Sequence, residues 1–178
     1  MRGSLLPDMP MKHFRYRCLS LLIAALCVYA PGAKARESLG LYASWGAFRD
    51  PLTPRCYAIA MAEPSARSRE YQPFSSVGTW PRRSVRNQIH FRLSRRLDPR
   101  VPIVLTIADR TFNLIGGGGD VWARNNEENA AIVAAMRSAT MMRVSARDMQ
   151  GRRFSNGWPL GGAASAMDAA SIGCARTD

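Results

Sequence analysis

The sequence predicts a mainly β protein, an antiparallel β-sandwich or barrel-like domain with two short helices at about residues 125–139 and 161–171. Three observations predict it. Apolar and polar residues alternate at period two through the middle of the chain, the pattern of half-buried strands. Two later stretches place small and apolar residues at helical spacing. Ahead of both lies an export-type leader, and its removal leaves residues 36–178, a length suited to one domain with its own core.

The leader comes first in the chain. Lys12, Arg15 and Arg17 precede the apolar run CLSLLIAALCVYA, and PGAKA follows it. A charged segment, a short apolar segment and the small-x-small site Ala33-Lys34-Ala35 read as a secretory signal peptide over residues 1–35, cleaved after Ala35. Met11 heads an equally complete leader, so the start is Met1 or Met11. Pro31 and Gly32 end the apolar run short of the roughly 18 residues that span a bilayer. No stable transmembrane segment is expected after cleavage, and the mature chain is expected in the periplasm or outside the cell.

Of 25 Lys+Arg and 13 Asp+Glu, the leader holds five basic residues (Arg2, Lys12, Arg15, Arg17, Lys34) and one acid (Asp8), so the mature chain keeps 20 against 12, a net +8. Every mature cation is arginine. Cys18 and Cys27 leave with the leader, so Cys56 and Cys174 are the only mature cysteines. In an oxidising compartment two cysteines most simply make one disulfide. Two thiolates and a single histidine are too few for a closed zinc site, and neither a metal nor a cofactor is expected.

The strands follow in order. CYAIAMAE is a strand candidate. In QIHFRLSR, Ile89, Phe91 and Leu93 fall on one face, with Gln88, His90, Arg92 and Ser94 on the other. VPIVLTIA repeats the alternation through Val101, Ile103, Leu105 and Ile107. RTFNLIG follows closely enough to make a hairpin, although Asp-Arg is a poorer turn pair than Asp-Gly. NNEENAAIVAAMRSA opens with acidic residues and continues with good helix formers, so it is the first helix, capped by Asn125 or Asn126. TMMRVSAR returns to strand, with Met142, Val144 and Ala146 inward. GGAASAMDAAS is the second helix, with Ala163, Ala166, Met167 and Ala170 along one stripe and Cys174 just beyond its end.

Candidate chemistry is sparse. A nucleophilic triad needs a base beside Ser or Cys; the mature chain has one histidine, His90, expected as a solvated imidazole on the arginine-bearing face. Gly116 to Asp120, GGGGD, lacks the Lys-Ser/Thr pair of a phosphate loop and reads as a turn. Asp98, Asp109 and Asp120 are too widely spaced for a calcium loop. Glu127 and Glu128 sit at a helix start, where the helix dipole accounts for them. Trp45 and Trp122 are assigned to the core, and Trp80 and Trp158, each followed by proline, are open between core and loop. No catalytic residue is assigned.

Several segments together resemble the invasion-associated locus B family, secreted single-domain proteins of α-proteobacteria. An early tryptophan strand and a cysteine strand appear as LGLYASWGAF and RCYAIAMAE, and a central segment as GTWPRRSVRNQIHFRL. The C-terminal third is the most specific match: DVWARNNEENAAIVAAMRSATMMRVSARDMQGRRF, then WPLGGAASAMDAASIGCA. Ala163 stands where related proteins often carry an aromatic, and Gly161 where a lysine is common. The resemblance implies one secreted β domain over residues 36–178 and, for some members of the family, a role in host-cell invasion, with no catalytic residues to carry over.

Seven arginines crowd one stretch: Arg82, Arg83, Arg86, Arg92, Arg95, Arg96 and Arg100. Most flank the central strand rather than lie in it, so their first reading is a solvated surface. Their functional reading is an anion-binding surface for lipid headgroups, lipopolysaccharide phosphates or an acidic envelope protein. Nucleic acid is excluded, since export removes the chain from it and no reading motif accompanies the arginines. The expected function is that of a non-catalytic envelope or interaction protein, with an anionic-ligand binder and an envelope hydrolase as alternatives.

Overall fold

Alternation of apolar side chains, broken by short turns, folds this chain into ten strands that are paired throughout in antiparallel register. The computed structural model describes residues 35–65 and 68–175. The signal peptide assigned to residues 1–35 lies, apart from Ala35, outside the described residues.

Strands β1 (Glu37–Tyr42), β2 (Trp45–Asp50), β3 (Arg55–Met61), β4 (Phe74–Trp80) and β5 (Val85–Arg92) run as a meander. The segment LGLYASWGAF, expected as one strand, is a hairpin instead. Ala43 takes a left-handed φ of 51° and turns the chain between Tyr42 and Trp45. β6 (Ile103–Ile107) and β7 (Arg110–Gly117) form the expected hairpin, with Ile107 opposite Arg110 and Ala108, at φ 51°, opening the two-residue turn. β8 (Asp120–Trp122) returns beside both β7 and β5 after a glycine turn in which Gly118 has φ 63°. β9 (Met141–Arg147) pairs with β6 and with β10 (Arg153–Pro159). The sheet order is therefore β1-β2-β3-β4-β5-β8-β7-β6-β9-β10.

The sheet folds over its own core. Trp45 Nε1 donates to the carbonyl of Pro159 at 2.9 Å, and the Glu63 amide donates to the carbonyl of Gly157 at 2.9 Å. These bonds bring the last strand against the first hairpin and the segment after β3, a sandwich-like closure. Ile89, Phe91 and Leu93 are fully buried inside it, joined by Leu105, Ile107, Met142 and Val144. The period-two reading holds for the inward residues Ile89, Phe91, Leu93, Ile103, Leu105, Ile107, Met142, Val144 and Ala146, but Ser94, expected on the outer face, is buried, and Val101 lies ahead of β6 and is only partly buried.

Helix α1 (Asn126–Met136) starts as its sequence dictates. Asn125 is extended, and its side chain accepts the Glu128 amide at 2.8 Å, satisfying one of the first turn's free donors. The helix ends at Met136, before the expected boundary near 139. Helix α2 (Ala163–Ala175) buries Ala163, Ala166, Met167 and Ala170 as expected, packing against β1, β2 and β3. It runs longer than expected, so Cys174 lies in its last turn rather than beyond it. Gly162 allows the close approach: it has φ 86°, and a Cβ there would sit 2.0 Å from the Tyr42 carbonyl oxygen. The Cys56 and Cys174 sulphurs are bonded, joining β3 to α2 across 118 residues of sequence. Among the described residues no helix is long and apolar enough to cross a membrane.

Candidate anion-binding cleft

The seven arginines do not form one surface. Arg82 and Arg83 lie in a single exposed 3-10 turn (Pro81–Arg83), and Arg86 is exposed within β5 rather than ahead of it. Arg96 is also exposed. Among the described residues these four have no carboxylate partner. The other three are compensated. Arg92 pairs with Asp120 and lies over the Tyr71 ring, its carbon 4.1 Å from the centroid. Arg100 grips its neighbour Asp98 through two nitrogens, each at 2.9 Å. Those side-chain bonds, with the Arg100 amide, hold the Asp98 carboxyl down to about 2.

Arg95 corrects the sequence reading most sharply. It is not solvated: only 7 % of it is exposed. Its Nη1 meets Asp148 Oδ2 at 3.0 Å, and Nη2 donates to the Ser68 carbonyl at 2.8 Å. Asp148 is wholly buried and also accepts from Arg152 Nε at 2.9 Å and from the amides of Gln150 and Arg152 at 3.0 Å. Burial opposes ionisation of Asp148, but the two amides and the Arg152 guanidinium outweigh it and hold its carboxyl below the ordinary range. A buried carboxylate with two guanidinium partners and two amide donors is a rigid anchor.

That anchor stands behind a cleft of about 670 Å³. Strands β9 and β10 supply it with two cross-strand pairs, Arg147 opposite Arg153 and Ser145 opposite Ser155. The segment after β3 adds Glu63, Ser65, Ser68 and Arg69, and the end of the central strand adds Ser94 and Arg95. Asn156 fixes that strand end, its Oδ1 accepting the Ser94 amide at 2.9 Å. Four guanidinium groups thus face one carboxylate, Glu63. Arg95 is neutralised from behind by Asp148; among the described residues Arg69 has no ion-pair partner, and the Arg147 guanidinium donates to the Gly151 carbonyl, at 2.7 Å, with no carboxylate beside it.

Two other clefts lack this balance. One of about 710 Å³ lies between Ser84–Gln88 and α1, but two of its three arginines are paired, Arg124 with Glu128 and Arg137 with Asp168. One of about 400 Å³ beside Cys174 offers Arg86 alone.

His90 also departs from expectation. Its ring is partly buried, stacked on Trp122 with centroids 5.0 Å apart, and met edge-on by Phe74. Nε2 lies 3.0 Å from Asp120 Oδ1. Burial lowers its pKa, against the opposing pull of Asp120. Trp122, assigned to the core, is at the surface on this stack, whereas Trp158 is fully buried beside Phe91. Trp45 is buried as assigned, and Trp80 is partly exposed. Among the described residues no cluster of His, Cys, Asp or Glu gathers as a metal site.

Comparison with protein-family models, with curated proteins and with solved structures finds no match for this chain. The cleft's composition is therefore the guide to its chemistry. Guanidinium forks and hydroxyls at the wall of a concave site suit an oxyanion, because each arginine offers paired N–H donors and the serines offer more.

Proposed function

We propose that this chain is an exported, non-catalytic binding protein of the cell envelope that holds an anionic ligand in the cleft between β9, β10 and the segment after β3. The observation that carries the reading is the excess of guanidinium over carboxylate in a serine-rich concavity. The disulfide suits the oxidising compartment to which the leader points. The resemblance to the invasion-associated locus B family points to the same setting. His90 is engaged by Asp120 and by its aromatic stack, which supports a structural role for it over that of a catalytic base.

The site differs from the anion surface read in the sequence. Of Arg82, Arg83, Arg86, Arg92, Arg95, Arg96 and Arg100, only Arg95 lines it. The test is calorimetric titration of the protein with inorganic pyrophosphate. Binding should weaken as salt rises, since exposed charges are screened beyond about 8 Å at physiological ionic strength. Arg69→Gln with Arg147→Gln should lower affinity by at least about tenfold, given roughly 1.5–3 kcal/mol for a hydrogen bond to a charged group. An Arg82→Gln, Arg83→Gln control should leave it unchanged. Unaltered affinity in the cleft variant refutes the assignment.

A further inference from the structure

We infer that the ligand of this cleft is an acidic saccharide, one that presents both an anionic group and free hydroxyls. This rests on the anion-binding reading and adds the ligand class. The size of the cleft points past a small ion. An isolated phosphate or sulphate fills only a small part of 670 Å³, a volume within the usual range for sites that enclose a ligand of several rings or chains. An anion held by Arg69 and Arg147 leaves most of the cleft for the body of the molecule.

The donors and acceptors of the cleft point the same way. Arginines only donate, so a cleft made for a polyanion needs nothing else. This one also holds Ser145 and Ser155, whose hydroxyls donate and accept, Ser155 Oγ already taking one bond from Arg143, and the exposed carboxylate of Glu63, which only accepts. A carboxylate at the wall repels a second negative group but accepts well from a sugar hydroxyl. Arginines, hydroxyls and one acceptor carboxylate therefore match a ligand that is anionic at one end and polyhydroxylated along its length. The polar groups are also held rigidly. Ser145 and Ser155 are paired across β9 and β10, and the Arg95–Asp148 anchor fixes the neighbouring strand end, so the polar groups are preorganised.

The experiment compares four probes by calorimetry on the full chain recovered after expression and export: glucose 6-phosphate, glucuronate, inorganic phosphate and glucose. At least one acidic sugar should bind ten or more times tighter than phosphate or glucose alone, and the tighter of the two identifies the acid as phosphate or carboxylate. Glu63→Gln should weaken the acidic sugar severalfold while strengthening pyrophosphate, because it removes an acceptor and a repulsion together. Ser145→Ala with Ser155→Ala should weaken the sugar and leave pyrophosphate unchanged. Thermal unfolding of each variant at the wild-type temperature shows that the fold is intact. Acidic sugars binding no tighter than phosphate, with Glu63→Gln moving sugar and pyrophosphate alike, overturn the saccharide inference and leave the anion site standing. Failure of every anion, pyrophosphate included, overturns both.

Discussion

Two tryptophans, both fully buried, show how differently one side chain can be accommodated. Trp45 carries its indole N–H to the Pro159 carbonyl, whereas Trp158 Nε1 is buried with no hydrogen-bond partner among the described residues. Replacement by phenylalanine removes similar volume at each site, so the cavity costs should be comparable. The polar terms oppose each other. Trp45→Phe loses a bond and strands a carbonyl, while Trp158→Phe removes a donor that was desolvated without compensation. Trp45→Phe should be the more destabilising by about 1–2 kcal/mol, read from urea midpoints at unchanged slope. Equal costs would show that the Pro159 bond contributes nothing net. The assignment of Trp122 to the core failed for a local reason: β8 has three residues, too few for alternation to show that Trp122 lies opposite in parity to the buried Val121. Arg95 did leave a signal. It stands two residues beyond Leu93, in the same parity as Ile89 and Phe91.

At the scale of elements, α1 completes a sheet that would otherwise end short. β8 pairs with β5 only from His90 to Arg92, so the edge of β5 before His90 has no strand beside it. Asn129 fills that place from the helix. Its Oδ1 accepts the Ile89 amide at 2.8 Å, and its Nδ2 donates to the Asn87 carbonyl at 2.9 Å. One side-chain amide thus reproduces both bonds of a strand neighbour. Asn129→Ala should cost about 1–3 kcal/mol, since Ile89 is fully buried and its N–H is left unpaired. The Ile89 amide should exchange markedly faster in that variant, and unchanged exchange there would count against the splice. The helix itself was legible from its cap and its acidic first turn. Its docking was not, because nothing local marks Asn129 as the partner of a strand forty residues earlier. β4 and β10 were likewise hidden: FSSVGTW and RFSNGWP carry serines, glycines and an asparagine where a strand face usually carries branched apolar residues.

The whole molecule depends on groups far apart in sequence, which is why the fold class was legible and the cleft was not. Alternation and helical spacing are local and can be read along the chain. The cleft draws on residues 63–65, 68–73, 94–104 and 145–156, and no local pattern announces that Asp148 will bury beside Arg95. The cysteine pair is the exception, since elimination alone selected it. Its effect should be largest at α2. That helix buries mostly small residues, Ala163, Ala166, Ala170 and Gly173, with Met167 its one large buried side chain apart from the bridge. Such a face contributes modest hydrophobic stabilisation, so the bond from Cys174 to Cys56 does much of the docking. Closing a loop of 118 residues is worth about 4–5 kcal/mol in the chain-entropy model. Cys56→Ser or Cys174→Ser should lower global stability by a few kcal/mol, because the reference ensemble gains freedom. The β-rich far-UV spectrum should persist, because every strand ladder survives the change. Hydrogen exchange should then separate α2 from the sheet: amides of residues 166–174 should open at lower free energy than those of β5 and β9, whereas in the bridged protein the gap should narrow. Identical denaturation midpoints with and without reductant, at full thiol exposure, would remove the bridge from the forces that hold α2 in place.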